Sequence, residues 1–276
     1  MPHENQQYLA RYNVRVHGSG DQTVVLGHGI GTDQGAWDRQ VPVLVAAGCR
    51  VVTFDFAGAT AGTARFFNAG RYRSMHGLAE DVLAVMRALE ITSAIYVGHS
   101  MGGMAGLLAA QAEPERFSAL MLIASSARYL DDPATGYVGG FSSGHVEQLL
   151  RSALEDHAQW ANGFANAMVS AASPYLSADD FSKALLSLRA DVVHCVLGAA
   201  LRSDHRVDVE RLRTPLYVLQ ASSDAAIPES AAQWLASNGH ARKLIHLSVK
   251  GHFPHIAAPD EVNRALLECL QDCRRG

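Results

Sequence analysis

Ala94-Ile95-Tyr96-Val97-Gly98-His99-Ser100-Met101-Gly102-Gly103 is the stretch that decides the fold. An apolar run of strand-forming character meets a Gly-x-Ser-x-Gly turn, and small residues then open a helical pattern near Gly102. A chain that turns this sharply from strand to helix holds its central residue in a strained backbone. Only small flanking residues let the two elements come close enough. The Ser100 hydroxyl is then presented at the carboxyl end of a sheet, beside the positive end of a helix.

Outward from this turn, β-type runs at 11–16, 23–26, 50–54, 119–123, 216–219 and 243–249 alternate with helical patterns such as 78–89 and 259–273. That alternation predicts a parallel α/β sheet. The rhythm breaks between 128 and 206, where helical patterns at 146–155, 159–169, 180–188 and 192–201 follow one another with no β run between them. Ser177-x-x-Asp180 offers an N-terminal cap for the third. The expected organisation is a core of 1–127 and 207–276 with a helical lid at 128–206 lying over the strand ends.

Composition narrows the function. A 276-residue chain that is 48% hydrophobic can bury one sizeable core. Its net charge of −4 gives no basic footprint for nucleic acid. No uncharged apolar stretch reaches the roughly 20 residues that span a bilayer, and residues 1–10 do not form a secretory leader. Cys49, Cys195, Cys269 and Cys273 are scattered and lack zinc spacing, which fits reduced thiols in a cytoplasmic protein and no metal centre.

A serine nucleophile needs a base, and the base needs an orienting acid. After a turn of this kind the chain order is serine, acid, histidine. Asp224 lies just past the 216–219 run, and His252 and His255 lie just past 243–249. His252 directly follows Gly251 and can reach back to Ser100; His255 competes from behind Pro254. An acid after the 119–123 run would be the rival of Asp224, but none occurs there before Asp131. An oxyanion hole needs two N–H donors. Met101 supplies one, and Ile30 in Gly27-His28-Gly29-Ile30-Gly31 is chosen for the other. His99, beside the nucleophile, reads as packing or pocket wall.

The chain resembles the α/β-hydrolase superfamily, and within it the RsbQ-like group, which includes a bacterial stress regulator and the plant karrikin and strigolactone receptors. The matching segments are 26–34, 97–103, Tyr129-Leu130-Asp131-Asp132 with Gly139-Gly140-Phe141, Arg202-Ser203-Asp204-His205-Arg206, and Gly251-His252-Phe253-Pro254-His255. The resemblance implies an α/β-hydrolase fold: a mostly parallel eight-stranded sheet flanked by helices, with a four-helix lid of two V-shaped pairs inserted after the sixth strand. It implies a triad of Ser100, Asp224 and His252, no cofactor, and slow hydrolysis of a small apolar ester or lactone. A regulatory protein partner docking on the lid, and a monomer or homodimer, are also compatible with it. Trp160 and Phe164 fall where the group lines its substrate pocket with aromatics, and His99, from its place in the turn, is counted with them as candidate pocket wall. Ile30 stands where the group commonly carries Phe, so the pocket roof should be less aromatic. Carbon–carbon bond hydrolases and perhydrolases use similar machinery and remain alternatives.

Overall fold

The computed structural model describes residues 2–275. The described residues form seven strands: β1 (Arg15–His17), β2 (Gln22–Gly27), β3 (Cys49–Thr53), β4 (Ala94–His99), β5 (Phe117–Ile123), β6 (Leu216–Ser223) and β7 (Lys243–Lys250). They lie in the order β1-β3-β2-β4-β5-β6-β7. Only β1 runs antiparallel, pairing Arg15 with Thr53; the others are parallel. The order reverses beside β2 and β4, so their carboxyl ends flank the crevice where open α/β sheets place their ligands.

The expected eighth strand is not among them, and the lid therefore follows the fifth strand rather than the sixth. Each of the seven β-type runs legible in the sequence forms a strand, the eighth having rested on the resemblance alone; before β1, Pro2–Arg11 is a helix, with Arg11 placed favourably in its last turn. That leaves only the short β1 to begin the sheet, where an extended run from residue 11 was expected.

The central strands read as continuous apolar runs because both of their faces are covered. Val24 and Leu26 face one buried cluster together with Leu44, Val262 and Leu266, whereas Val25 faces the other with Leu78, Val82 and Met104. A polar knot lies within this second layer. The buried Asp81 carboxylate accepts hydrogen bonds from the hydroxyls of Tyr12 and Tyr72 at 2.9 Å and pairs with Arg71 at 2.8 Å. It fastens the segment after the first helix to the Met75–Ala88 helix.

Between β5 and β6 the chain builds the four helices anticipated from the sequence: Ser143–Glu155, His157–Met168, Ala178–Ser187 and Ala190–Leu201. Ser177 caps the third by accepting the Asp180 N–H at 3.0 Å. The two ends of this insertion meet. Arg128 pairs with Asp204, the His205 N–H donates to the Ala127 carbonyl at 2.8 Å, and Arg206 bridges Asp132 at 2.8 Å and Asp204 at 2.7 Å. Val146, Leu150 and Trp160 join the same apolar cluster as the sheet, so the lid is packed onto the core. No single helix among the described residues is long and apolar enough to cross a membrane. All four cysteines are free.

Candidate active site

Ser100 sits between β4 and the Met101–Ala112 helix with φ 54° and ψ −124°. This is costly backbone for a side chain bearing a Cβ, by about 1–3 kcal/mol, and the surroundings hold it there. The Ser100 N–H donates to the Ile123 carbonyl at 3.0 Å, while its own carbonyl accepts from the Gly103 N–H and from Ser125 Oγ, both at 3.0 Å. The flanking glycines are required by contact. A Cβ on Gly98 would lie 2.5 Å from the Gly103 Cα, and one on Gly102 would lie 2.3 Å from the His28 carbonyl. Below the turn, the buried Tyr96 hydroxyl donates to the Gly102 carbonyl at 2.8 Å and ties the strand to the helix.

The strand ends bring Asp224 and His252 to this serine. Asp224 follows β6, and its side chain is wholly buried. Its Oδ1 accepts the N–H groups of Ala226 at 2.8 Å and Ile227 at 3.3 Å, and its Oδ2 lies 2.8 Å from His252 Nδ1. His252 Nε2 lies 2.8 Å from Ser100 Oγ. Bonding assigns the tautomer: Nδ1–H donates to the carboxylate, which leaves the Nε2 lone pair to accept the serine hydroxyl. The peptide of His252 is held from both sides. Its N–H donates to the Met168 carbonyl at the end of a lid helix, and its carbonyl accepts from His99 Nε2 at 2.7 Å.

The two rivals fall elsewhere. Asp131 Oδ1 accepts the Gly139 and Gly140 N–H groups at 2.9 Å and shapes the loop leading into the lid. His255 is fully buried against Trp37, with ring centroids 4.6 Å apart, and neither of its ring nitrogens has a hydrogen-bond partner. Burial, reinforced by the nearby His252, pushes its pKa down to about 3.

Over Ser100 lies a cavity of about 30 Å³, walled by Ile30, Tyr129, Phe141, Phe164, Met168 and Leu197 together with Met101. His252 is the one ionisable ring in an otherwise apolar wall, apart from the Tyr129 phenol. Of the three residues expected to line the pocket, Phe164 does so. Trp160 stands behind it, stacked on Phe164 at 5.2 Å and on His157 at 5.4 Å. His99 does not reach the cavity: it is completely buried beneath the site, because its place in the turn aims it away from Oγ.

Two contributors escaped the sequence. Tyr129 lines the cavity beside Ser100 and His252; burial, and then the Asp224 carboxylate, raise its phenol pKa well above the ordinary value. Tyr129 stands in the segment that carried the resemblance, and this was the available signal. His28 is fully buried and supports the loop bearing Ile30. Its Nδ1 meets the Gly29 carbonyl at 2.8 Å, and its Nε2 accepts the Phe56 N–H at 3.0 Å. This contact also gives a role to the run from Phe56 to Gly62 that follows Asp55. Phe56 and Ala57 are buried, and Thr63 Oγ1 donates to the Phe56 carbonyl at 3.2 Å, so the run folds back as a brace for the Ile30 loop. Burial lowers the His28 pKa, which fits its neutral bonding pattern.

The comparisons with known proteins agree with this construction. The chain is 35% identical over 257 residues to Karrikin insensitive 2 receptor CA of Petunia hybrida, covering 93% of this chain and 94% of that one. It is 34% identical over 252 residues to a strigolactone esterase of Pisum sativum, covering 91% and 93%. Among solved structures, a hydrolase from Oleispira antarctica superimposes with a TM-score of 0.91 at 26% identity, covering 97% of both chains. A family model described as "Alpha/beta hydrolase family" matches residues 24–265. With that match spanning most of its length, the chain belongs to the alpha/beta hydrolase family and is related to the karrikin and strigolactone receptor esterases.

Proposed function

We propose that the protein is a serine hydrolase that cleaves a small, uncharged, mostly apolar ester or lactone through an acyl-enzyme intermediate. The observation that carries this reading is the unbroken Ser100–His252–Asp224 chain of 2.8 Å contacts opening on an apolar cavity. Esterases among the relatives support it. His252 Nε2 takes the Ser100 proton as Oγ attacks the substrate carbonyl. The oxyanion that forms is held by the backbone N–H groups of Ile30 and Met101, and the negative Asp224 stabilises the imidazolium. As the intermediate collapses, the departing alkoxide takes the proton from His252. Water, deprotonated by the same ring, then releases the acid and frees Ser100. In a lactone the alcohol and acid remain parts of one product.

The cavity limits the substrate. The cavity is small, and its apolar wall around Phe164 and Leu197 favours a short, uncharged acyl group. A receptor that turns its ligand over slowly is the second reading, favoured by the relatives named as karrikin receptors. Intact-mass spectrometry after short p-nitrophenyl esters and butenolide-type lactones tests the catalytic reading. Turnover, or an adduct on Ser100, is expected for the natural chain and neither for Ser100→Ala. Equal turnover by the two would remove the serine mechanism. Ligand-induced stabilisation without turnover in either would favour the receptor reading.

A further inference from the structure

We propose that His99 is a positioning residue that sets where His252 stands relative to Ser100 and to the loop bearing Ile30. The inference rests on the serine-hydrolase reading above and deepens it. Three catalytic loops meet at this one buried ring. His99 belongs to the first, as the neighbour of Ser100. Its Nε2 lies 2.7 Å from the His252 carbonyl, in a contact between residues 153 positions apart. The third loop lies against its other edge: a Cβ on Gly29 would stand 2.5 Å from His99 Nδ1 and 3.3 Å from the Ser100 Cβ. The ring also packs on His252, with centroids 5.0 Å apart, and on His255 at 4.5 Å.

The chemistry of the contact fixes the state of the ring. A carbonyl only accepts, so His99 Nε2 carries the hydrogen, and Nδ1, facing Gly29, is the bare nitrogen. Burial, with His255 and His252 close by, holds the ring neutral. One fixed donor therefore points at one fixed acceptor. The other tether of the same peptide, the bond from the His252 N–H to Met168, comes from the lid. Of the two tethers, only His99 connects His252 to the element that carries the nucleophile.

His99 does not line the cavity, and its hydrogen bond goes to the His252 carbonyl and not to the ring or to Ser100 Oγ, so its removal is expected to act through displacement of the base. Moving a catalytic group by about 1 Å can cost on the order of 10²-fold in rate. Such a loss should fall on kcat, because His252 serves both the acylation and the deacylation step, while KM stays nearly constant.

The variants His99→Gln, His99→Asn and His99→Leu separate this role from simple packing. The Gln amide nitrogen reaches about as far as Nε2 of histidine, whereas that of Asn reaches only as far as Nδ1. Steady-state kinetics on a short p-nitrophenyl ester, beside thermal melts, should show His99→Gln within about 10-fold of the natural kcat. His99→Asn and His99→Leu should lose roughly 30- to 100-fold in kcat with KM changed less than about 3-fold. Natural kcat in both Asn and Leu variants would overturn the proposal, as would a Gln variant as impaired as Leu. If Leu does not fold, the Gln and Asn pair decides. If none of the three folds, the role of His99 is structural and the proposal falls. Absence of Ser100-dependent turnover in the natural chain would instead overturn the functional reading on which this one stands.

Discussion

His252 and His255 are separated by two residues, both are buried, and they live in opposite chemical settings. His252 uses both ring nitrogens, one on Asp224 and one on Ser100. His255 uses neither and spends its ring on Trp37 and His99. The upper layer, at the strand ends, binds every polar atom it needs to move a proton. The layer beneath consists of rings whose protonation is suppressed. The lesson is that burial alone says little about role; the partners of each nitrogen do.

The largest effects should come from the upper layer. His252→Ala is expected to lower kcat by roughly 10⁴–10⁶-fold and Asp224→Asn by about 10⁴-fold, as in other serine triads. His255→Leu, nearly as large and fully apolar, should stay within about 10-fold. Kinetics on one activated ester checks all three, and a His255 loss matching that of His252 would erase the contrast.

Acid stability should sharpen the comparison from below. With its pKa pushed down to about 3 from an ordinary 6.5, His255 resists protonation in the folded state while the unfolded chain accepts the proton. Its contribution is complete above about pH 6.5 and is lost as the pH falls towards 3, by up to about 1.4 kcal/mol per pH unit. The lowered pKa values of His28 and His99 act in the same direction. Urea unfolding at pH 7, 5.5 and 4.5 should therefore show a steep loss of stability, visibly shallower in His255→Leu. An unchanged slope would mean that the lower layer is not held neutral.

The smallest expected effect concerns the roof. Ile30→Phe introduces the aromatic residue common in the resembling group and narrows the cavity above Ser100. Its backbone N–H persists, so catalysis on an acetyl ester should change by no more than about 3-fold. Hexanoyl esters should lose about 10-fold more, in keeping with what one or two methylenes are worth in a pocket. A uniform loss across chain lengths would place the effect on the oxyanion contact instead.

Much of this was legible because it rests on local pattern. The strands of the sheet centre are apolar on both faces, so they stood out as runs, and the order of serine, acid and histidine followed from their ends. Lid helices announced themselves through amphipathic spacing and the Ser177 cap. What was missed depends on facing directions and on distant partners. The i,i+4 pair Trp160 and Phe164 looked equivalent, yet only Phe164 reaches the cavity, since Trp160 turns towards His157. His99 was read as possible pocket wall, whereas its partner is a carbonyl contributed from the far end of the chain. The Pro2–Arg11 helix lacks an apolar stripe strong enough to signal itself, and the resemblance supplied a strand count one higher than the described residues form.

The joined ends of the insertion have a consequence for the history of such a molecule. Because Arg128 and Asp204 are paired, the two ends of the insertion lie side by side, and the helices between them impose no span on the host. Lengthening a loop whose ends already coincide adds little to its closure entropy, about 0.6 kcal/mol per doubling. The sheet with its triad can thus be kept constant while the canopy above it is lengthened or reshaped like a graft on a single stem, so long as the Met168 carbonyl stays on the His252 N–H. Selection on ligand choice can then proceed almost independently of selection on chemistry.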